Sequence, residues 1–271
     1  MKKRIVLCAD DYGQALAISQ GILALIKQGR LTATSCLVNT PYWEEHAKWL
    51  LPFKDQVDIG LHFNLTEGKP LSEGYRAGQG PVFYSVNKLL ALTFLRRVSQ
   101  SAIEAECHAQ IDQFEAAIGF LPRYIDGHQH VHQFPVIRDA LLNVYEQRLR
   151  ASNAYIRLAN ETPDFCLKKI IIYASGAAAL KKQLRKRAIP HNASFAGIYP
   201  FHEAHEYPVY FTEFLQKIGD KGLIMCHPGL ETVELDDPIG AARVKEYDYF
   251  AGQLFVDECT RQSVELGRLE Y

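Results

Sequence analysis

Several short apolar runs in this chain end in an acid or a histidine, and this repetition constrains the fold more than its other features do. The side chains at these ends are Asp10 and Asp11, His62, His128 and His227. Apolar runs of this length are typical of buried strands. In a parallel α/β protein the carboxyl ends of the strands share one face, where ligands bind. We therefore predict that these acids and imidazoles meet at one edge of a parallel sheet.

Strand patterns alternate with helical patterns along the chain. The predicted strands are residues 4–9, 34–39, 57–65, 124–127, 155–159, 195–199 and 222–226. The predicted helices are residues 15–28, 42–51, 86–119 with a break near Ser99–Ser101, 136–148, 165–187, 210–218 and 238–266. Such alternation gives a parallel sheet with right-handed crossovers. Seven units of this kind predict an α/β fold in which a single domain over residues 1–271 forms a closed or nearly closed barrel.

Composition excludes several classes of protein. The chain has 30 basic and 31 acidic residues, so it lacks the positive charge that predicts nucleic-acid binding. Its 6 cysteines are far apart and form no C-x-x-C pair, which is typical of a reducing compartment. No signal-peptide pattern or long apolar stretch is present. We expect a cytoplasmic protein that does not span a membrane. The glycine- and proline-rich segment 66–81 is predicted to be a loop, and we hypothesise that it forms a lid.

The acids and histidines suit a metal site. A catalytic divalent metal ion usually has about three protein ligands from His and Asp or Glu. Asp11, His62 and one histidine of the 128–132 segment could supply that set. Spacing does not decide between His128, His130 and His132, because a strand would place all three on one face while a bend at the preceding glycine would separate them.

The two adjacent aspartates need a turn if both are to face such a site. In an extended chain Asp10 and Asp11 point to opposite sides. Gly13 makes a turn plausible, and then one carboxylate could bind metal while the other takes a proton from water. His227, at the end of the last predicted strand, is placed to protonate a leaving group from the other side.

Ordinary structural roles compete with this interpretation. The aspartate pair could be a helix N-cap with its solvated neighbour, and His62 could be a hydrogen-bonded core residue. The 126–132 segment could be a surface turn, and His227 could serve in packing or capping. The metal-site interpretation would fail only if all four of these ordinary roles applied at once. The remaining histidines are predicted to lie at the surface: His46, His108, His191, His202 and His205.

Five phrases of the sequence resemble the YdjC-like family, the ChbG/HpnK carbohydrate deacetylases, in both order and spacing. They are Ala9-Asp-Asp-Tyr-Gly13, Thr32–Asn39, Gly60–Thr66 with Gly68–Leu71, Asp126–His132 and His227–Gly229. The resemblance extends from residue 4 to about residue 250 and is loose over 150–220. It implies an incomplete or distorted (β/α) barrel of about seven parallel strands, related to the polysaccharide deacetylases.

The resemblance also implies roles for single residues. The metal ligands would be Asp11, His62 and His128, with Asp10 as the general base and His227 as the acid. Asp126 and His130 would orient the ligands or contact substrate. One divalent metal ion is expected, Mg²⁺ or Zn²⁺ first, while the ligand set also admits Mn²⁺, Fe²⁺ or Co²⁺.

The implied activity is metal-dependent hydrolysis that removes the N-acetyl group from an amino sugar and releases acetate. The substrate would be a small N-acetylated sugar such as a chito-oligosaccharide, or a glycolipid such as an N-acetylglucosaminyl hopanoid. A metal-dependent phosphoesterase is a second hypothesis, which the lack of arginine or lysine beside these motifs disfavours. A non-catalytic glycan- or metal-binding barrel protein is a third. The sequence leaves the oligomeric state open, with a homodimer among the options.

Overall fold

The computed structural model describes residues 2–160, 167–231 and 237–270, and it shows a parallel α/β fold. The strands are β1 Lys3–Tyr12, β2 Ala33–Cys36, β3 Asp58–Phe63, β4 Tyr124–Gly127, β5 Tyr155–Ile156, β6 Phe195–Ala196, β7 Gly222–Cys226 and β8 Val264–Leu266. The helices are α1 Leu16–Lys27, α2 Trp43–Leu50, α3 Glu73–Gln79, α4 Val86–Phe94, α5 Gln100–Ile118, α6 Ile137–Arg148, α7 Leu167–Ile172, α8 Ala178–Lys186, α9 Tyr207–Lys217, α10 Gly240–Ala251 and α11 Gln253–Arg261.

The sheet curls into an incomplete barrel. Its strand order is β5-β4-β3-β2-β1-β7-β6, and β8 pairs with the first residues of β1. The two outer strands, β5 and β6, are not paired with each other along this path. The chain before β6 nevertheless reaches β5, because Ile156 donates its N–H to Pro190 at 3.0 Å and the Asn192 side chain bonds both backbone groups of Leu158. The predicted incomplete α/β barrel of about seven parallel strands is confirmed.

The predicted single helix over 238–266 is wrong in its continuity and in its end, because the segment forms two helices, α10 and α11, and the second ends at Arg261. Helix α10 ends at Ala251, and Gly252 is extended, with φ −78° and ψ 166°, before α11 begins. The chain then forms β8, in which Val264 pairs with Lys3 of β1. The free edge at the start of β1 decides this, because β2 pairs with that strand only from Cys8 onward.

The predicted break near Ser99–Ser101 in the 86–119 helix is confirmed. Ser99 is the N-cap of α5 and accepts a hydrogen bond from the Ala102 N–H at 3.3 Å, so Ser101 lies inside the helix. The prediction of a loop throughout 66–81 is wrong, since α3 lies within it. The buried Glu106 carboxylate anchors this segment by accepting the backbone N–H groups of Leu71 and Ser72. The lid hypothesis stays a prediction.

Three further details concern single segments. The predicted 165–187 helix begins outside the described residues and continues as α7 and α8, joined by a π-helical turn over Tyr173–Ala177. His46 is buried rather than exposed, because its Nδ1 lies 2.8 Å from Ser19 Oγ and its ring stacks on Trp49. Among the described residues, no helix is both long enough and apolar enough to cross a membrane.

Candidate metal and catalytic site

A backbone irregularity at the end of β1 turns both aspartates toward the same cavity. The pairing register of β1 with β2 shifts between Ala9 and Tyr12, and Asp11 has a left-handed φ of 71°. Such a conformation is uncommon for a residue other than glycine. Asp10 and Asp11 are both buried and both line the cavity. The turn required by the sequence therefore occurs at Asp11 itself.

A second irregularity separates the three histidines after β4. Gln129 and His130 have left-handed φ angles of 52° and 59°, so the strand ends and the side chains diverge. His128 faces Asp11. His130 lies on the cavity wall with its ring 6.0 Å from that of Phe195, and His132 Nε2 lies 2.9 Å from the backbone oxygen of Arg157.

The structure brings Asp11, His62 and His128 together. Asp11 Oδ1 lies 3.3 Å from His62 Nε2 and 3.0 Å from His128 Nδ1. One ligand atom from each residue lies within 4.8 Å of the other two. One carboxylate oxygen and two imidazole nitrogens are a donor set that suits several divalent ions and leaves positions for water and substrate.

The charges around this group fit a cation. Burial favours neutral imidazoles, but the charges of Asp126 and Asp10 and the hydrogen bonds to Asp11 and Asp126 together outweigh it at His62 and raise the pKa of that ring to about 10. At His128 the charge of Asp11 and the hydrogen bonds to Asp11 and Glu67 together outweigh burial and raise the pKa to about 9. His62 Nδ1 lies 2.6 Å from Asp126 Oδ1, which leaves Nε2 toward Asp11. A divalent ion would supply the positive charge that these protons otherwise supply.

Two buried arginines stand beside the aspartates, and the sequence analysis predicted neither contact. Arg157 donates two hydrogen bonds to Asp10, at 2.6 and 2.8 Å, and its Nη1 lies 3.0 Å from Asp126 Oδ2. Arg243 donates to Asp11 Oδ2 at 2.8 Å. The expectation that no arginine lies beside these motifs is wrong, because neighbours in the fold are distant in the chain. Arg157 directly follows β5, so the strand-end pattern could have found it; Arg243 has no such signal.

A second acidic group, Cys8 with Asp10 and Asp126, has the spacing of a metal site. The Arg157 guanidinium contacts both of these carboxylates and already supplies a cation there. Burial, together with Asp10, raises the pKa of the Cys8 thiol well above its usual range, so the thiol stays protonated. Cys8 Sγ lies 3.0 Å from the Tyr124 hydroxyl. This group serves as a hydrogen-bonded support beneath the cavity.

His227 follows β7 and faces Asp10. Its backbone N–H donates to Glu246 Oε2 at 2.5 Å, and its ring meets the Phe201 ring edge-on. His227 Nε2 lies 4.0 Å from Asp10 Oδ2. The two residues and the three metal-ligand candidates line one cavity of about 1220 Å³.

Known proteins that resemble the chain identify its family. A family model described as YdjC-like protein matches residues 4–261. The chain belongs to the YdjC-like family. This YdjC-like chain is 31% identical over 147 residues to a Danio rerio protein named carbohydrate deacetylase, which covers 53% of this chain and 46% of that protein. It is 33% identical over 141 residues to an Escherichia fergusonii protein named chitooligosaccharide deacetylase, which covers 51% of this chain and 53% of that protein. The chain spans about half the length of these curated relatives.

Two solved structures resemble the YdjC-like chain over nearly its whole length. One is an Enterococcus faecalis protein provisionally described as a cellobiose-phosphate cleavage protein, with a TM-score of 0.73, 20% identity, and coverage of 98% of this chain and 97% of that one. The other is a family 4 carbohydrate esterase from Streptomyces lividans in complex with acetate, with a TM-score of 0.52, 8% identity, and coverage of 99% and 93%. These likenesses show that the YdjC-like chain shares its fold with that esterase family.

Proposed function

We propose that this YdjC-like chain is a metal-dependent N-deacetylase that releases acetate from an N-acetylated amino sugar. The observation that carries the proposal is the position of Asp10. This buried carboxylate lies outside the group formed by Asp11, His62 and His128, yet it shares their cavity and lies 4.0 Å from the imidazole of His227. A proton acceptor and a proton donor thus stand beside a candidate metal site.

Each residue would have a distinct task. A divalent ion held by Asp11, His62 and His128 would polarise the amide carbonyl and make water a stronger acid. Asp10 would accept the proton of the attacking water, and Arg157 would hold both carboxylate oxygens of Asp10 in a fixed orientation. His227 would donate a proton to the departing amine nitrogen. The products are acetate and a free amino sugar.

The cavity wall supports a substrate with an apolar part. Aromatic rings that could stack on a sugar stand beside aliphatic side chains that could contact a lipid. The accessible aromatic residues are Phe201 and Tyr210, and the accessible aliphatic ones are Val86, Leu90, Ile171 and Ile172. Burying aliphatic surface stabilises a complex by roughly 25 cal/mol per Å². We therefore place an N-acetylated glycolipid ahead of a chito-oligosaccharide.

The two rival functions fit less well. A phosphoesterase would direct arginines toward its substrate, whereas Arg157 is fully buried against Asp10 and Asp126, and Arg243 is buried against Asp11. A non-catalytic binding protein has no need of a carboxylate and an imidazole facing each other beside the metal ligands.

We also propose that residues 1–271 act as one domain and that the protein works in the cytoplasm. The cysteines among the described residues support a reducing compartment, because all of them are free thiols: Cys8, Cys36, Cys107, Cys226 and Cys259.

The test is an acetate-release assay on N-acetylated sugars and glycolipids, run with a chelator and then with Mg²⁺, Zn²⁺, Mn²⁺ or Co²⁺ added back. We expect the chelator to abolish acetate release and one of the metals to restore it. Asp10→Asn should lower kcat by roughly 10²–10⁴-fold while metal affinity is kept, because a positioned base supplies an acceleration of that size.

The control is Asp55→Asn, which neutralises an exposed aspartate in the turn before β3 that does not line the cavity. It should leave kcat at the wild-type value. Full activity of Asp10→Asn with metal bound would refute the role of Asp10, and acetate release that persists without metal would refute the proposed mechanism.

A further inference from the structure

Five side chains form a closed ring of polar contacts around the candidate metal site. Asp11 Oδ2 accepts from Arg243 Nη2 at 2.8 Å, and the same nitrogen donates to Gln14 Oε1 at 3.0 Å. Gln14 Nε2 donates to Glu67 Oε2 at 2.9 Å. Glu67 Oε1 lies 3.0 Å from His128 Nε2, and His128 Nδ1 returns to Asp11 Oδ1 at 3.0 Å.

We propose that Arg243, Gln14 and Glu67 are positioning residues that decide which atoms of Asp11 and His128 face the metal ion. The inference rests on the proposed metal-dependent function. Arg243 occupies Oδ2 of Asp11, so that residue offers only Oδ1 to the ion. The Glu67 carboxylate lies at ion-pair distance from Nε2 of His128, so that imidazole turns Nδ1 toward Asp11.

The atoms of Asp11 and His128 that Arg243 and Glu67 do not contact lie close together. Asp11 Oδ1 lies close to both His62 Nε2 and His128 Nδ1, whereas Arg243 contacts Oδ2 of Asp11 and Glu67 lies beside Nε2 of His128. The third ligand is oriented separately, because Asp126 takes the other nitrogen of His62. Metal-binding histidines usually give their second ring nitrogen to a carboxylate in this way, which fixes the orientation of the ring.

A further ion pair anchors the ring at Arg243. Arg243 is itself held on its other side by an ion pair between its Nε and Asp237. The ring thus joins the ends of β1, β3 and β4 to α10 through side chains of opposite charge.

The test measures Zn²⁺ affinity of the whole protein by competition with a chromophoric chelator, without substrate. Gln14→Ala, Glu67→Gln and Arg243→Lys should each weaken Zn²⁺ binding by roughly 10–100-fold, the usual effect of removing a partner of a metal ligand. The control is Gln253→Ala, because Gln253 also donates to a carboxylate, that of Asp257 at 2.9 Å, but lies on the exposed surface and does not line the cavity. It should bind Zn²⁺ as the wild type does. A loss in Gln253→Ala equal to that in Gln14→Ala would overturn the proposal.

A second measurement reports on the atoms themselves. Long-range ¹H–¹⁵N spectra of the imidazoles in the Zn²⁺-loaded protein should show His128 bound through Nδ1, with its proton on Nε2. Binding through Nε2, or wild-type affinity in Gln14→Ala and Glu67→Gln, would overturn the proposal. Because neither readout uses turnover, the ring can fail while deacetylation holds, and deacetylation can fail while the ring holds.

Discussion

Replacing Arg157 by methionine should leave the buried carboxylate of Asp10 without its arginine partner. Arg157 is fully buried and makes three contacts of 3.0 Å or less with the carboxylates of Asp10 and Asp126. Asp126 would still have His62 at 2.6 Å. Among the described residues, Asp10 would keep a thiol contact with Cys8 at 3.5 Å and the His227 imidazole at 4.0 Å. Methionine restores much of the volume of arginine but none of its charge.

The expected cost is about 3–5 kcal/mol of unfolding free energy, the usual penalty for removing one partner of a buried ion pair. For a protein of this size that loss lowers Tm by roughly 6–20 °C. Thermal unfolding followed by circular dichroism at neutral pH measures it. In the double variant Asp10→Asn with Arg157→Met, residue 10 no longer carries the unpaired negative charge. We therefore expect this variant to regain at least about 1 kcal/mol of unfolding free energy relative to Arg157→Met.

A surface arginine provides the comparison. Arg150 pairs with Glu146 at 2.5 Å, but their side chains are 37% and 36% exposed, so Arg150→Met should cost about 1 kcal/mol or less. The reasoning would be refuted if Arg157→Met destabilised the protein no more than Arg150→Met did, or if Asp10→Asn recovered nothing in the Arg157→Met background.

Two further predictions concern the strand that carries His62. Burial raises the pKa of Asp58 to about 6, so the folded protein binds that proton more tightly than the unfolded chain does, and ionisation costs stability as the pH rises from about 4 to about 6. Asp58→Asn should therefore raise unfolding free energy by on the order of 2 kcal/mol above pH 7, with the gain vanishing near pH 4 in urea titrations; a gain independent of pH would contradict this. Gly60→Ala would place a Cβ 2.4 Å from the Tyr124 ring and should cost about 1–3 kcal/mol in the same titrations, whereas Gly219→Ala, whose Cβ would meet nothing nearer than 3.6 Å, should cost less. Equal losses in the two glycine variants would count against the packing explanation.

The sequence by itself determined the class of fold and the neighbourhood of the site. Apolar runs that alternate with helical patterns require parallel connections, and parallel connections bring strand ends to one edge. Asp11, His62 and one histidine of the 128–132 segment could therefore be grouped before any coordinates, although 117 positions separate Asp11 from His128. The same pattern would have included Arg157, which directly follows β5.

Only the tertiary structure decided which atoms meet. The choice of His128 over His130 and His132 depends on left-handed φ angles at Gln129 and His130, and the common direction of Asp10 and Asp11 depends on a left-handed φ at Asp11. Local sequence preference opposes such angles in residues other than glycine, so the surrounding contacts must impose them. Arg243 comes from a helix 232 positions after Asp11, and no local pattern signals that ion pair. Strand order and helix packing bring such residues together, and both are properties of the whole fold.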